Sequence, residues 1–128
     1  MSSLNPLSDL NSPQSVIDWE YLHQLTADNF AFEKELLATF LEDATLYVQQ
    51  IQEALDERDF IRLVQQAHQL KGSSATVAVR FMPEIAAQLE TINHSDHVPG
   101  AQNLIDQLQE VLTRIDKLLQ ELGDEIPQ

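Results

Sequence analysis

Apolar residues recur at intervals of three and four positions through most of this chain, in four stretches separated by polar breaks. The stretches cover about residues 30–55, 59–79, 82–92 and 102–122. This spacing places the apolar side chains on one face of a helix, with Glu, Asp and Gln on the other face. Because the connections are short, consecutive helices should pack as antiparallel neighbours. The pattern predicts an all-α fold, an antiparallel up-down-up-down four-helix bundle, with no strand.

A shorter apolar pattern precedes the bundle. Residues 18–25 carry Trp19, Leu22 and Leu25 at helical spacing, which predicts a short N-terminal helix covering one end of the bundle. Residues 1–15 are rich in Ser, Asn and Pro, a composition typical of a mobile arm.

Several residues mark predicted helix ends. Asp28 or Asn29 can cap the first long helix and Asp59 the second, since a side-chain oxygen there accepts a hydrogen bond from an otherwise unpaired amide. Pro83 suits the first turn of a helix, where its missing N–H costs little. Gly123 is a candidate C-terminal cap for the last helix.

Length and composition favour a single helical domain. The chain of 128 residues can bury its own core, and we predict a bundle domain over residues 16–123 and a frayed tail over residues 124–128. Glycine is scarce, with 3 residues, which disfavours a turn-rich β fold. Cysteine is absent, so neither disulfides nor thiolate metal sites are available.

The charge restricts the class of partner. The formal net charge is −14, from 21 acidic and 7 basic residues. Such a surface repels phosphate backbones and anionic lipids, so we expect neither nucleic acid nor membrane as a partner. The sequence shows no apolar run near the ~20 residues of a membrane span, and no N-terminal signal pattern. We therefore expect a cytoplasmic protein, and a monomer because the acidic surface opposes self-association.

One stretch, residues 67–74, carries the candidate chemistry. His68 follows the apolar position Ala67 and so lies about 100° around the helix, at the boundary of the apolar stripe. Lys71 and Gly72 lie one helical turn further on. A glycine inside a helix costs about 1 kcal/mol relative to alanine, so a bare position there indicates that another molecule comes close to His68.

The run His68-Gln69-Leu70-Lys71-Gly72-Ser73-Ser74 resembles the signature of histidine-containing phosphotransfer (HPt) domains: His, any residue, Leu, Lys, Gly and two small residues. The similarity continues through residues 75–77 and reaches residues 86–90 in the next predicted helix. The family commonly has glycine ten positions after the histidine, where this chain has Ala78. That departure concerns local helix packing more than the chemistry.

The resemblance implies a phosphoprotein of a multistep two-component phosphorelay. His68 would be the phosphorylated nucleophile, accepting a phosphoryl group from a receiver-domain aspartate and passing it to another, since a neutral imidazole has a free lone pair near pH 7. The implied partners are response-regulator receiver domains and a hybrid histidine kinase. The receiver would supply Mg²⁺ and its own lysine, so this chain would need no cofactor of its own.

The same resemblance suggests roles for nearby positions. Lys71 would offset charge on the bound phosphoryl group, and Gly72 would let the loops of the receiver approach closely. Glu90, or alternatively Gln88, would orient the imidazole by accepting its second N–H. The remaining residues on or beside the exposed face would dock the receiver: Ile61, Val64, Gln65 and Ala75.

Other interpretations stand beside this one. A lone histidine in a helix is usually an ordinary surface residue, and only its combination with Lys71 and Gly72 indicates a phosphotransfer role for His68. A non-phosphorylated helical adaptor, binding a signalling partner through the same surface, is the alternative from a different class. An HPt module of a larger histidine kinase is a third, although Met1 and the tail at Pro127 favour a separate chain. The sequence has no ATP-binding or autokinase motif, so the protein should not phosphorylate itself.

The remaining histidines predict no site. His94 and His97 lie with Asp96 in a predicted polar loop over residues 93–100 and lack a further ligand at a recognisable spacing, so no metal site is expected. His23 belongs to no recognisable group of residues.

Overall fold

The computed structural model describes residues 16–125, which contain five α-helices. These are α1 (Trp19–Thr26), α2 (Phe30–Asp56), α3 (Phe60–Thr76), α4 (Met82–Leu89) and α5 (Val98–Glu125), with a 3₁₀ turn at Ser95–His97 before α5. Extended pairing within this range is limited to one isolated antiparallel bridge between Ile17 and Val79. The predicted all-α fold is confirmed. The predicted arm, residues 1–15, and the last three residues of the tail lie outside the described range.

Three of the helices begin at a side-chain cap. Asp18, Asn29 and Asp59 each accept a hydrogen bond from the backbone amide three positions later, at 3.0–3.2 Å. These bonds satisfy amides that have no partner inside the helix. Asn29, rather than Asp28, therefore caps α2, and the predicted cap at Asp59 is confirmed. α4 has no side-chain cap, but Pro83 in its first turn has no amide to satisfy.

Four of the helices form the bundle around one aliphatic core. α2 packs against α3 and α5, and α4 packs against the same two helices, so each has two neighbours. Removing one of these large apolar side chains from water contributes about 1.5–3 kcal/mol. The fully buried members of the core include Leu37, Ile51, Leu63, Leu70, Met82, Leu89, Ile105, Leu108 and Ile115.

α1 packs against the start of α2 through a polar cluster that the sequence did not predict. Glu33, in the first turn of α2, is only 2% exposed. It accepts hydrogen bonds from the Thr26 hydroxyl at 2.8 Å and from His23 Nδ1 at 2.5 Å, which compensate the carboxylate for the water it loses. The hydrogen bond to Glu33 raises the pKa of His23 above its ordinary value. Leu25, predicted on the buried face, is instead exposed, and Thr26 is buried beside Leu22.

α3 ends in a backbone conformation that suits glycine. Ala78 is buried and has a φ of 66°, in the left-handed region. Its carbonyl accepts a hydrogen bond from the Asp18 amide at 2.8 Å, and the Arg80 amide donates to the Val16 carbonyl at 2.7 Å. These two bonds tie the end of α3 to the segment before α1. An L-residue in this conformation costs about 1–2 kcal/mol, which gives a physical reason for the glycine that HPt domains commonly have at the position of Ala78.

The predicted ends of the last two helices were partly wrong. Ile92 was predicted on α4, but that helix ends at Leu89 and Ile92 is buried in the following loop. The loop is shifted towards the N-terminus, to residues 90–97 in place of the predicted 93–100, because α5 begins at Val98 and takes Pro99 into its first turn.

Gly123 does not end α5, contrary to prediction, because the helix continues to Glu125. A Cβ at Gly123 would lie 3.3 Å from Nζ of Lys34 on α2. Gly123 therefore lies inside the last turn of α5, next to the end of the Lys34 side chain.

Candidate functional site

α3 turns one face to the core and presents the other to solvent. Leu63, Ala67, Leu70 and Ser74 are buried, so the residues between them point outwards. The Ser74 hydroxyl donates to the Leu70 carbonyl at 2.8 Å, which satisfies this polar group inside the helix packing. His68 follows Ala67, and its side chain is 66% exposed. An imidazole is thus exposed to solvent on the outward side of α3.

Glu90, the C-cap residue of α4, holds the imidazole of His68. Its Oε2 lies 2.8 Å from Nδ1 of His68. An ionised carboxylate only accepts hydrogen bonds, so Nδ1 must carry the hydrogen and donate it. In the neutral ring the free lone pair then belongs to Nε2. The site therefore presents a nucleophilic nitrogen on an exposed ring whose tautomer is fixed by a carboxylate.

The second oxygen of Glu90 binds Lys71. The distance from Oε1 to Nζ is 2.6 Å. Hydrogen bonds from Lys71, and after it from His68, hold the pKa of Glu90 below its ordinary value. The carboxylate is therefore ionised at neutral pH. One side chain from α4 connects the nucleophilic ring to a cation one helical turn away on α3.

Gly72 leaves an open space beside this group that the packing of the protein does not require. Among the glycines in the described range none has a positive φ, so the backbone at Gly72 accepts any L-residue. A Cβ at Gly72 would meet no neighbouring side chain or helix within 4 Å. A glycine in a helix interior still costs about 1 kcal/mol. The packing around Gly72 does not account for that cost.

The residues predicted to dock a partner are exposed around the site. Ile61 is 76% exposed although it is a large apolar side chain, and it lines a shallow groove that reaches Ile92. A single exposed apolar side chain is common on protein surfaces, but Ile61 is the most exposed of the large apolar residues in the described range. We call the set the docking surface; apart from the half-buried Val64, its members are exposed: Ile61, Val64, Gln65, Gly72 and Ala75.

α3 and the loop after it carry no acidic residue, unlike the rest of the chain. Residues 60–83 contain no Asp or Glu, although the whole chain has 21. The same segment contains Arg62, Lys71 and Arg80. An anionic group that approaches the protein therefore meets less repulsion along α3 than along the other long helices.

Gln88, the predicted alternative to Glu90, does not contact His68. Its side chain is exposed and makes no hydrogen bond within the part of the chain that the structure describes. Residues two positions apart on a helix do not share a face, so Gln88 and Glu90 could not both reach the imidazole. The ion pair of Lys71 with Glu90 was not predicted, because periodicity does not show which carboxylate of the next helix reaches across.

The other histidines have structural surroundings. His23 pairs with Glu33, ten positions away, a spacing that no sequence motif marks. His94 and His97 each use Nδ1 to accept a backbone amide, at 3.0 and 3.2 Å, within the turn before α5. Across residues 16–125, no three His, Cys, Asp or Glu side chains are grouped so as to hold a metal ion. Over the same residues, the helices lack the combination of length and apolar character that crossing a membrane requires.

Comparisons with known proteins show the family and the fold of this chain. The family model of the Hpt domain matches residues 35–124, which include all of α3 and α4. Among solved structures, the chain is similar to the HPT domain from the Hpt sensor hybrid histidine kinase from Shewanella. The TM-score is 0.68 and the identity 21%, and the match covers 83% of this chain and 95% of that chain, a likeness that shows the fold. A search of the curated proteins gave no match.

Proposed function

Because the chain belongs to the Hpt domain family, whose members carry out histidine phosphotransfer in two-component signalling, we propose that it is a phosphorelay intermediate phosphorylated on His68. The observation that carries this proposal is the bond between Nδ1 of His68 and Glu90. That bond leaves the lone pair on Nε2 of an exposed ring, which is the arrangement a phosphoryl acceptor needs.

In the proposed reaction, Nε2 of His68 attacks the phosphorus of an aspartyl phosphate on a receiver domain. The lone pair of Nε2 forms the N–P bond while the P–O bond breaks, and the electron pair of that bond returns to the carboxylate of the receiver. The proton on Nδ1 stays on the ring and remains donated to an oxygen of Glu90, which keeps the imidazole in its orientation. The same steps in reverse transfer the group to the next aspartate.

Phosphoryl transfer depends on placement and charge stabilisation more than on covalent help from the protein. On this proposal Lys71 offsets phosphoryl charge, Gly72 admits the loops of the receiver, and the docking surface holds the receiver in place. The receiver contributes Mg²⁺ and its own lysine. The absence of Asp and Glu from residues 60–83 supports a partner that brings an anionic phosphoryl group inside an acidic pocket.

The proposal is tested by incubating the protein with a panel of receiver domains carrying labelled phosphate. We expect label that is lost in acid, survives base and disappears in His68→Gln. His23→Gln is the matched control, because it removes another histidine that is held by a glutamate, and it should keep the label. Label that persists in His68→Gln would assign the phosphate elsewhere. Binding to receivers without any label in the wild type would instead favour the helical adaptor.

A further inference from the structure

The cation assigned to the phosphoryl group is already engaged before phosphorylation. Nζ of Lys71 lies 2.6 Å from Oε1 of Glu90, while the other oxygen of Glu90 holds His68. Arg62, the other cation of α3, bonds to Glu53 and Gln50 at 3.0 and 2.9 Å. In the unphosphorylated site, Glu90 therefore accepts hydrogen bonds from both His68 and Lys71, and the ammonium group of Lys71 is paired with a carboxylate.

A phosphoryl group on His68 would change this balance. It brings a charge of about −1.5 to −2 and three acceptor oxygens to a position one helical turn from Lys71. Lys71 then has two anionic partners, Glu90 and the phosphoryl group, for one ammonium. Any free energy gained from the phosphoryl contact is reduced by what the Glu90 contact loses.

We propose that Glu90 is a positioning residue that lowers the stability of phosphorylated His68, because its carboxylate competes with the phosphoryl group for Lys71. This inference rests on the proposed function. The ion pair stabilises the unphosphorylated state, so the equilibrium favours passing the group on. No covalent bond changes in this step, since Lys71 only exchanges one anionic oxygen for another. The bond from Nδ1 to Glu90 is a separate role, which needs an acceptor oxygen but not a charge.

Glu90→Gln separates the two roles. The amide oxygen of Gln can still accept from Nδ1, but the neutral amide no longer forms an ion pair with Lys71. The matched control is Glu84→Gln, which removes the same charge from an exposed position of α4. The measurement is the equilibrium constant for sharing labelled phosphate between this protein and a receiver domain that labels the wild type. Ring ¹⁵N resonances of His68 report which nitrogen carries the hydrogen.

We expect Glu90→Gln to shift this equilibrium about two- to fivefold towards phosphohistidine, the range corresponding to a partly exposed ion pair. Glu84→Gln should leave it unchanged, and Lys71→Ala should shift it the other way. In the Lys71→Ala background, Glu90→Gln should have no further effect on the equilibrium, because the cation for which Glu90 and the phosphoryl group compete is then absent. The ¹⁵N resonances should show Nδ1–H in both the wild type and Glu90→Gln.

Each other outcome has a definite meaning. An equal shift in both backgrounds would show that Glu90 acts directly on the phosphoryl group, which overturns the role of Lys71. No shift, a reverse shift, or loss of Nδ1–H in Glu90→Gln would overturn the separation of roles. Label on wild-type His68 with any of these results leaves the proposed function intact. Absence of label from the wild type would overturn the proposed function and this inference together.

Discussion

Replacing Gly72 should make the protein more stable and, at the same time, a poorer phosphoryl acceptor. The two substitutions of interest are Gly72→Ala and Gly72→Gln. Gly72 lies inside α3, one helical turn before its end, and a side chain there meets no neighbouring side chain or helix. The hydrogen bond from the Thr76 hydroxyl to the Gly72 carbonyl, at 2.9 Å, involves only the backbone of Gly72 and is kept.

The expected gain in stability follows from helix propensity alone. Ala is about 1 kcal/mol more favourable than Gly in a helix interior, and Gln is close behind. A gain of about 1 kcal/mol should raise the melting temperature of a domain of this size by about 3–5 °C. Urea unfolding should show the same gain at an unchanged slope, because the surface exposed on unfolding is nearly the same.

The expected loss of transfer follows from the position of Gly72 beside His68. A Gln side chain would occupy the space into which a receiver must come, so we expect the transfer rate to fall at least about tenfold, which is ~1.4 kcal/mol in activation free energy. Gly72→Ala adds a single methyl group and should have a smaller effect. The assay is the single-turnover rate of label transfer from a phosphorylated receiver domain.

Gly100 provides the matched control. It also has open space around its Cβ position, but it lies in the first turn of α5 and outside the docking surface. Gly100→Gln should leave the transfer rate unchanged. A wild-type rate for Gly72→Gln would refute the argument that the open space serves a partner. A loss of stability in Gly72→Ala would show a contact inside the protein that the geometry does not contain.

Two further predictions concern the fold. Ala78→Gly should stay within about 0.5 kcal/mol of the wild type, because relief of the left-handed backbone offsets the lost methyl group and the added freedom of the unfolded chain. The control is Ala44→Gly, at a buried position inside α2, which should lower the free energy of unfolding by about 2 kcal/mol. Equal losses for Ala78→Gly and Ala44→Gly in urea unfolding would contradict the strain at Ala78. The pKa of His23 is raised by Glu33, so its stabilising effect is fully present below the unfolded pKa near 6.5 and is lost as pH rises through the higher folded value. The stability advantage of wild type over His23→Gln should therefore shrink from pH 5.5 to pH 8.5, and a constant advantage would count against the pair.

The sequence predicts most of α2 and α3 because their apolar periodicity matches burial. Leu37 and Leu63 are buried where the spacing places them, and Asp59 caps α3 as its residue type suggests. The prediction is weaker where tertiary contacts determine where a helix ends. Gly123 has the residue type of a helix cap, but α5 continues past it to Glu125, which the local residue type does not predict.

The site shows the same division between local and long-range information. His68 and its exposure follow from a local motif and a helical face, and the resemblance to HPt domains named Glu90 as the orienting residue. The contact of Lys71 with the same carboxylate needs the packing of α4 on α3, which periodicity does not supply. The burial of Glu33 was not predicted for a similar reason. A glutamate in the first turn of a helix is ordinarily solvated, and the helix dipole stabilises its negative charge there.

The lack of Asp and Glu along residues 60–83 has a consequence for encounters in solution. An acidic partner that diffuses towards this chain, with its net charge of −14, meets electrostatic repulsion in most orientations. At physiological ionic strength that repulsion extends only about 8 Å, so it acts during the last part of the approach. It therefore affects the angle of arrival more than the rate of collision. On the proposed function, a partner that arrives facing α3 would meet the least repulsion and would therefore stay longest beside His68.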